Sequence, residues 1–140
     1  VVGLGEAEAA DPLAARELRQ VTLALCLVAV LSACGTEKAY QGPDQPSAQQ
    51  ALIVGDPQLT SGLPIKAVIR KVDEHIPGFG ISTVAVLPGR HEVLVDCVMS
   101  SHSTVRFPLV IEARAGHRYV LVAQSTPGNR TCADVRVDER

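Results

Sequence analysis

At 140 residues, with hydrophobic residues at 46% but aromatic ones at only 3%, the chain has room for one domain whose core must be aliphatic. A formal net charge of −2 and the lack of any long Lys/Arg run exclude the electrostatic footprint of a nucleic-acid binder, so nucleic acid is not an expected partner. The first segment, VVGLGEAEAADPLAAREL, is acidic and Ala-rich, and the only methionine is Met99. A secretory n-region is short and basic, so this pattern implies a translation start nearer Leu13 or Leu18. Residues 1–20 are not expected to count in the fold.

Residues 21–31 read VTLALCLVAVL, uncharged and preceded by Arg16 and Arg19. About 11 apolar residues is the length of a signal h-region and short of the ~20 needed to span a bilayer. Leu31-Ser32-Ala33-Cys34 follows at once and resembles the lipobox of bacterial lipoproteins. The chemistry accounts for the pattern: a thiol must reach a lipid donor at the membrane surface, and small neighbours leave the preceding peptide bond open to a peptidase. The resemblance implies a signal peptide over residues 1–33, cleavage before Cys34, and lipidation of Cys34 by a diacylglyceryl thioether and an amide-linked acyl chain such as palmitate. At about 0.8 kcal/mol per buried CH₂, two or three chains anchor a protein essentially permanently. Gly35 stands where an Asp commonly marks inner-membrane retention, which implies an outer-membrane, periplasm-facing address.

Residues 34–50 are then read as a lipidated, disordered tether. The stretch GTEKAYQGPDQPSAQQ is polar and broken by Pro43 and Pro46, a composition that suits a linker. From Ala51 the pattern changes to short apolar runs bounded by Gly, Pro, Asp and Ser. Strands are expected near Ala51–Val54, Ile65–Val72, Ile81–Leu87, Glu92–Met99, Thr104–Glu112, Arg118–Ala123 and Ala133–Asp138. Val105, Phe107, Leu109 and Ile111, for example, alternate with Arg106, Pro108, Val110 and Glu112, the period of a strand. Leu87-Pro88-Gly89-Arg90 carries type II turn chemistry, and Ala115-Gly116-His117 offers the same service, so each is expected to close a hairpin. About seven antiparallel strands imply an all-β fold, a small antiparallel β-sandwich over residues 51–140, with a small open barrel as the alternative.

The segments LPGRHEVLV and IEARAGHRYVLVA, with Tyr40-Gln41-Gly42-Pro43, Pro46 and Ala51-Leu52 upstream, resemble a group of small Gram-negative lipoproteins whose domain reads as a PEGA-like β-sandwich. The likeness covers most of the chain after Cys34. It departs at Lys71-Val72-Asp73-Glu74-His75, where such domains place an Asp-Gly turn and this sequence has Glu74 instead of the Gly. The resemblance implies a fold and an address and carries no activity with it.

With Cys26 in the signal and Cys34 lipidated, Cys97 and Cys132 remain. In an oxidising compartment two such thiols are read as a disulfide. Strand parity counts against it: Cys97 is in phase with Val93 and Val95, whereas Cys132 is out of phase with Val135 and Val137. Cys132 escapes the constraint if it lies just before the regular strand, after Pro127-Gly128-Asn129-Arg130. His75, His91, His102 and His117 lack the spacing of a ligand pair, so no metal and no cofactor are expected. If His91 and His117 came together with a carboxylate, zinc would return as a candidate. Ser100-Ser101-His102-Ser103 reads as a hairpin loop, and Asp73-Glu74 as adjacent carboxylates that point apart, so no catalytic residues are assigned.

Three functions compete. A non-catalytic envelope lipoprotein, acting as a structural or protein-interaction module with an envelope protein as partner, leads. A binding module for cell-wall glycan or peptide, with peptidoglycan as partner, comes second, because no Trp and only two Tyr leave little for sugars to stack on. An enzyme or metal carrier comes third, supported by the histidines alone.

Overall fold

The computed structural model describes residues 35–57, 64–100, 103–128 and 131–140. The signal segment, Cys34, His102 and Asn129–Arg130 lie outside the described residues. Eight strands are seen among these: β1 Thr36–Lys38, β2 Ala51–Val54, β3 Ile65–Val72, β4 Thr83–Val86, β5 Gly89–Met99, β6 Thr104–Ala113, β7 Arg118–Ser125 and β8 Cys132–Glu139. The only helical turn described is a 3₁₀ turn at Ser47–Gln49, and no described helix is long and apolar enough to cross a membrane. The β-rich fold expected from the alternating Val-rich runs is present.

The strands form a five-stranded sheet in the order β1-β4-β2-β7-β8 and a three-stranded sheet in the order β3-β5-β6. Their inner faces share one core. Ile53, Val84 and Val86 come from the first sheet and Ile69, Val93 and Val95 from the second, all essentially inaccessible to water. Tyr119 is the one fully buried aromatic ring, with Phe107 packed at the margin. Small aliphatic side chains thus fill the space between the sheets, as the composition requires.

Three features differ from the sequence reading. First, the segment read as a disordered tether belongs to the folded unit, which begins at Gly35. Strand β1 lies parallel to β4, with Thr36 opposite Thr83 and Lys38 opposite Ala85, and the Tyr40 hydroxyl donates to Gln50 Oε1 and accepts from the Gln45 N–H. These backbone and side-chain bonds supply what a polar composition could not. Second, the larger sheet is mixed, because β2 runs parallel to β7. Third, neither predicted hairpin turn closes a hairpin: β4 and β5 lie in different sheets, as do β6 and β7. Gly116, at φ +79°, sits in a turn closed by the His117 N–H on the Arg114 carbonyl, as the sequence implied, whereas Gly89, at φ +135°, already opens β5 and lacks the φ near +80° of a type II turn. At both places the chain crosses the core, because each flanking strand already has its partners. Among the described strands, the consecutive antiparallel pairs are β5–β6 and β7–β8.

A disulfide joins Cys97 of β5 to Cys132 of β8, with the Cα atoms 6.1 Å apart, and so ties one sheet to the other. The parity objection is removed by a bulge. Gln124 faces Asp134 while Ser125 faces Cys132, so Ala133 is an extra residue and Cys132 is turned inward. The bridge closes a sequence separation of 35, which on the chain-entropy account is worth about 3–4 kcal/mol. Replacing both cysteines by Ala should lower the unfolding free energy by about that much in urea titrations. Reductant should reproduce the loss in the wild type and leave the double variant unchanged.

Candidate functional site

A chain that crosses between sheets repeatedly leaves backbone groups at its corners outside the ladders, and such groups need other partners. Here side chains supply them, and each described histidine takes part. At the β3–β4 connection, His75 Nε2 lies 2.5 Å from Glu37 Oε1, and Glu37 Oε2 accepts the Gly78 N–H at 2.9 Å. At the β4–β5 crossing, His91 Nδ1 lies 2.6 Å from Asp73 Oδ2, and Nε2 lies 2.6 Å from the Leu87 carbonyl oxygen. At the β6–β7 crossing, His117 Nδ1 lies 2.9 Å from Glu139 Oε1. The buried Tyr119 hydroxyl there accepts the Arg114 N–H and faces the Glu112 carbonyl.

His91 and His117 therefore sit in separate pairs, each with its own carboxylate. Among the described residues no three or more of His, Cys, Asp and Glu converge as a metal-holding group. His91 and Asp73 resemble two members of a catalytic triad, but both ring nitrogens are engaged, one by the carboxylate and one by a backbone carbonyl. Neither is left to take a proton from a nucleophile.

Asp73 also settles the turn at which the sequence departs from the pattern it resembles. Val72 and His75 exchange backbone hydrogen bonds of 2.8 and 2.9 Å, so residues 73 and 74 form a two-residue turn. Asp73 carries the positive φ, at +50°, a conformation that a short polar side chain tolerates better than most. Its Oδ1 accepts the Glu92 N–H at 2.9 Å.

The most organised side-chain cluster is one that the sequence reading missed. Asp96, in the middle of β5, is buried on the outer face of the three-stranded sheet. Arg106 of β6 grips it through two bonds of 2.7 and 3.1 Å, and Arg70 of β3 reaches it at 3.2 Å. Arg70 is free to turn that way because it is the extra residue of a bulge between Ile69 and Lys71. The hydrogen bond that Arg106 donates to Asp96 raises the Arg106 pKa above its ordinary value. The signal was present: an acid inside the apolar run VLVDCVM needs a cation beside it. Next to this cluster a shallow groove of about 480 Å³ runs over the same face, floored by Leu94 and Pro108 and edged by Lys71, Glu74, Glu92 and the exposed Val110.

No known protein family, curated protein or solved structure matches this chain.

The site is therefore read from its own chemistry. The Asp96 carboxylate is occupied by two guanidinium groups, and Lys71 is paired with Glu74 at 3.2 Å. The face offers fixed, compensated charges around an apolar floor.

Two of the corner carboxylates carry a pH signature. Burial alone would raise the Asp73 pKa, but the hydrogen bonds from His91 and the Glu92 N–H, with the His91 charge, hold it below the usual range. Glu139 is lowered by its hydrogen bond from Arg114. A carboxylate whose folded pKa lies below its unfolded value stabilises the fold above the unfolded pKa, and that contribution is lost as pH falls through the folded one. Chemical unfolding midpoints should thus fall as pH drops from about 5 to about 3. Asp73→Asn keeps the turn and the Glu92 contact but removes the charge. Both it and Glu139→Gln should show a shallower acid limb than the wild type, and an unchanged slope would refute these assignments.

Proposed function

We propose that this chain is a lipid-anchored protein of the bacterial envelope, cut before Cys34, acylated there and facing the periplasm from the outer membrane. It serves as a non-catalytic structural or protein-interaction module. The observation that carries the reading is the order of segments: an uncharged apolar run at residues 21–31, the Leu31-Ser32-Ala33-Cys34 motif, and then at once a compact unit starting at Gly35. Acylation needs a thiol at that junction in the sequence, and removal of residues 1–33 would leave intact the unit that begins at Gly35.

Within that reading, the outer face of the three-stranded sheet is the surface on which a partner would sit. Its groove favours a protein or peptide over a glycan. Of the two tyrosines, Tyr119 is buried and the Tyr40 hydroxyl is engaged with Gln50 and Gln45, so no aromatic plane lies in the groove for a sugar to stack on. Peptidoglycan peptide remains the second reading on the same ground.

Metabolic labelling with an alkynyl fatty acid tests the anchor. The wild-type chain should take up label and shorten by the signal, whereas Cys34→Ala should do neither and should leave the membrane fraction. A wild-type chain that stays unlabelled and uncleaved would end the proposal.

A further inference from the structure

Two of the large side chains most exposed in the structure stand three positions apart in the β3–β4 connection, Ile76 just before a turn and Phe79 on it. Ile76 is 71% and Phe79 75% accessible, whereas isolated exposed apolar residues are ordinary on any surface. That turn is held in place. The Ile81 N–H donates to the Gly78 carbonyl at 3.2 Å, closing a four-residue turn with Phe79 and Gly80 at its centre. Gly80 has φ +80°, which the second central position of such a turn requires and which a side chain there would resist. Gly78 is itself fastened by its N–H to Glu37, and His75 is fastened to the other oxygen of the same carboxylate. The backbone that carries Phe79 cannot move toward the core without breaking these bonds.

The location of the turn gives the exposure a meaning. Glu37 lies in β1, three residues after Cys34, and the Gly35 carbonyl accepts the Thr83 N–H at 3.1 Å. Phe79 is four residues before Thr83, so at most about 14 Å of backbone separates it from that contact. We propose that the turn at residues 76–81 is a membrane-contact element, with Ile76 and Phe79 entering the interfacial layer of the bilayer that holds the acyl chains on Cys34. The inference rests on the lipid anchor proposed above.

Because β1 begins two residues after Cys34, little free chain separates the anchor from the sheet, and this edge of the sandwich is held against the headgroups. Apolar side chains displayed within that reach enter the boundary between headgroups and acyl chains, a layer about 5–10 Å deep. The neighbouring charges do not oppose it, since Glu37 is paired with His75 and Glu74 with Lys71. The domain would then be fixed in orientation by three points, the acyl chains, Ile76 and Phe79, with its remaining surface turned away from the bilayer.

The chain contains no Trp, so a single introduced indole reports its own surroundings. The full chain carrying Phe79→Trp, or Val110→Trp in the other sheet as a control, is produced with its signal and purified as the acylated protein. It is then incorporated into phosphatidylethanolamine–phosphatidylglycerol vesicles with brominated acyl chains. Flotation and fatty-acid labelling report the anchor independently. On floating protein, F79W should be blue-shifted and quenched roughly twofold or more while V110W keeps its emission. If F79W floats but is unquenched, or if both indoles are quenched alike, the contact element is overturned and the anchor stands. If the chain neither labels nor floats, both readings fall together.

Discussion

The bond between Cys97 and Cys132 is the constraint on which the rest of this structure depends, because it is the one covalent link between two sheets that share a thin core. The interior is mostly Val, Ile and Ala, with Leu121, Met99, the two bridged cysteines and one Tyr, and a domain of about a hundred residues has little apolar area to spare. Otherwise the three-stranded sheet meets the five-stranded one through packing, the connections of the chain and a few hydrogen bonds, such as that of the Tyr119 hydroxyl to the Glu112 carbonyl. The disulfide fixes β5 over β8 at the point where both hairpins approach their ends, and the bulge at Ala133 exists in the geometry that this link needs.

The corners come next in importance. The chain crosses between sheets at the β2–β3, β3–β4, β4–β5 and β6–β7 connections, and at each the lost ladder bonds are replaced by side chains. Asp56 takes the Ala67 N–H at the first. Glu37, Asp73 and Glu139, each with a histidine, serve the other three. Each histidine thus pairs with a corner carboxylate; those of His75 and His91 accept backbone N–H groups, while beside Glu139 it is the Tyr119 hydroxyl that takes the Arg114 N–H. This division of labour leaves the outer sheet face, with Asp96 between its two arginines, as the place where charge is organised without a corner to serve.

Most of the strands were legible because alternation along a strand is a local property. Ile65–Val72 and Ala51–Val54 were read with the bounds they have, and Val105, Phe107, Leu109 and Ile111 do face inward. The errors fell where a non-local choice decides. Pro88-Gly89 and Ala115-Gly116 specify sharp turns, but whether a turn closes a hairpin or crosses a core depends on which strands are already paired, and that is written in no four residues. The parity of Cys132 misled for a related reason, since a single inserted residue reverses every face after it. Residues 36–38 were missed because a three-residue edge strand with one large side chain nearby looks like linker by composition. Asp96 was the avoidable omission, since an acid in an apolar run demands partners wherever the strand goes.

That short edge strand changes what the proposed anchor would do. A disordered tether of sixteen residues would let the domain sample positions up to about 50 Å from the bilayer and any orientation, so its surface would be equally available all round. With the Gly35 carbonyl already bonded to the Thr83 N–H, the proposed acyl chains would hold the domain against the bilayer, and its orientation would be set by the fold. The turn at Phe79 and the Asp96 face then cease to be independent features. Phe79 sits by the β1 edge of one sheet, and the Asp96 face is the outer surface of the other. A bilayer contact at the first would leave the second open to whatever the periplasm presents.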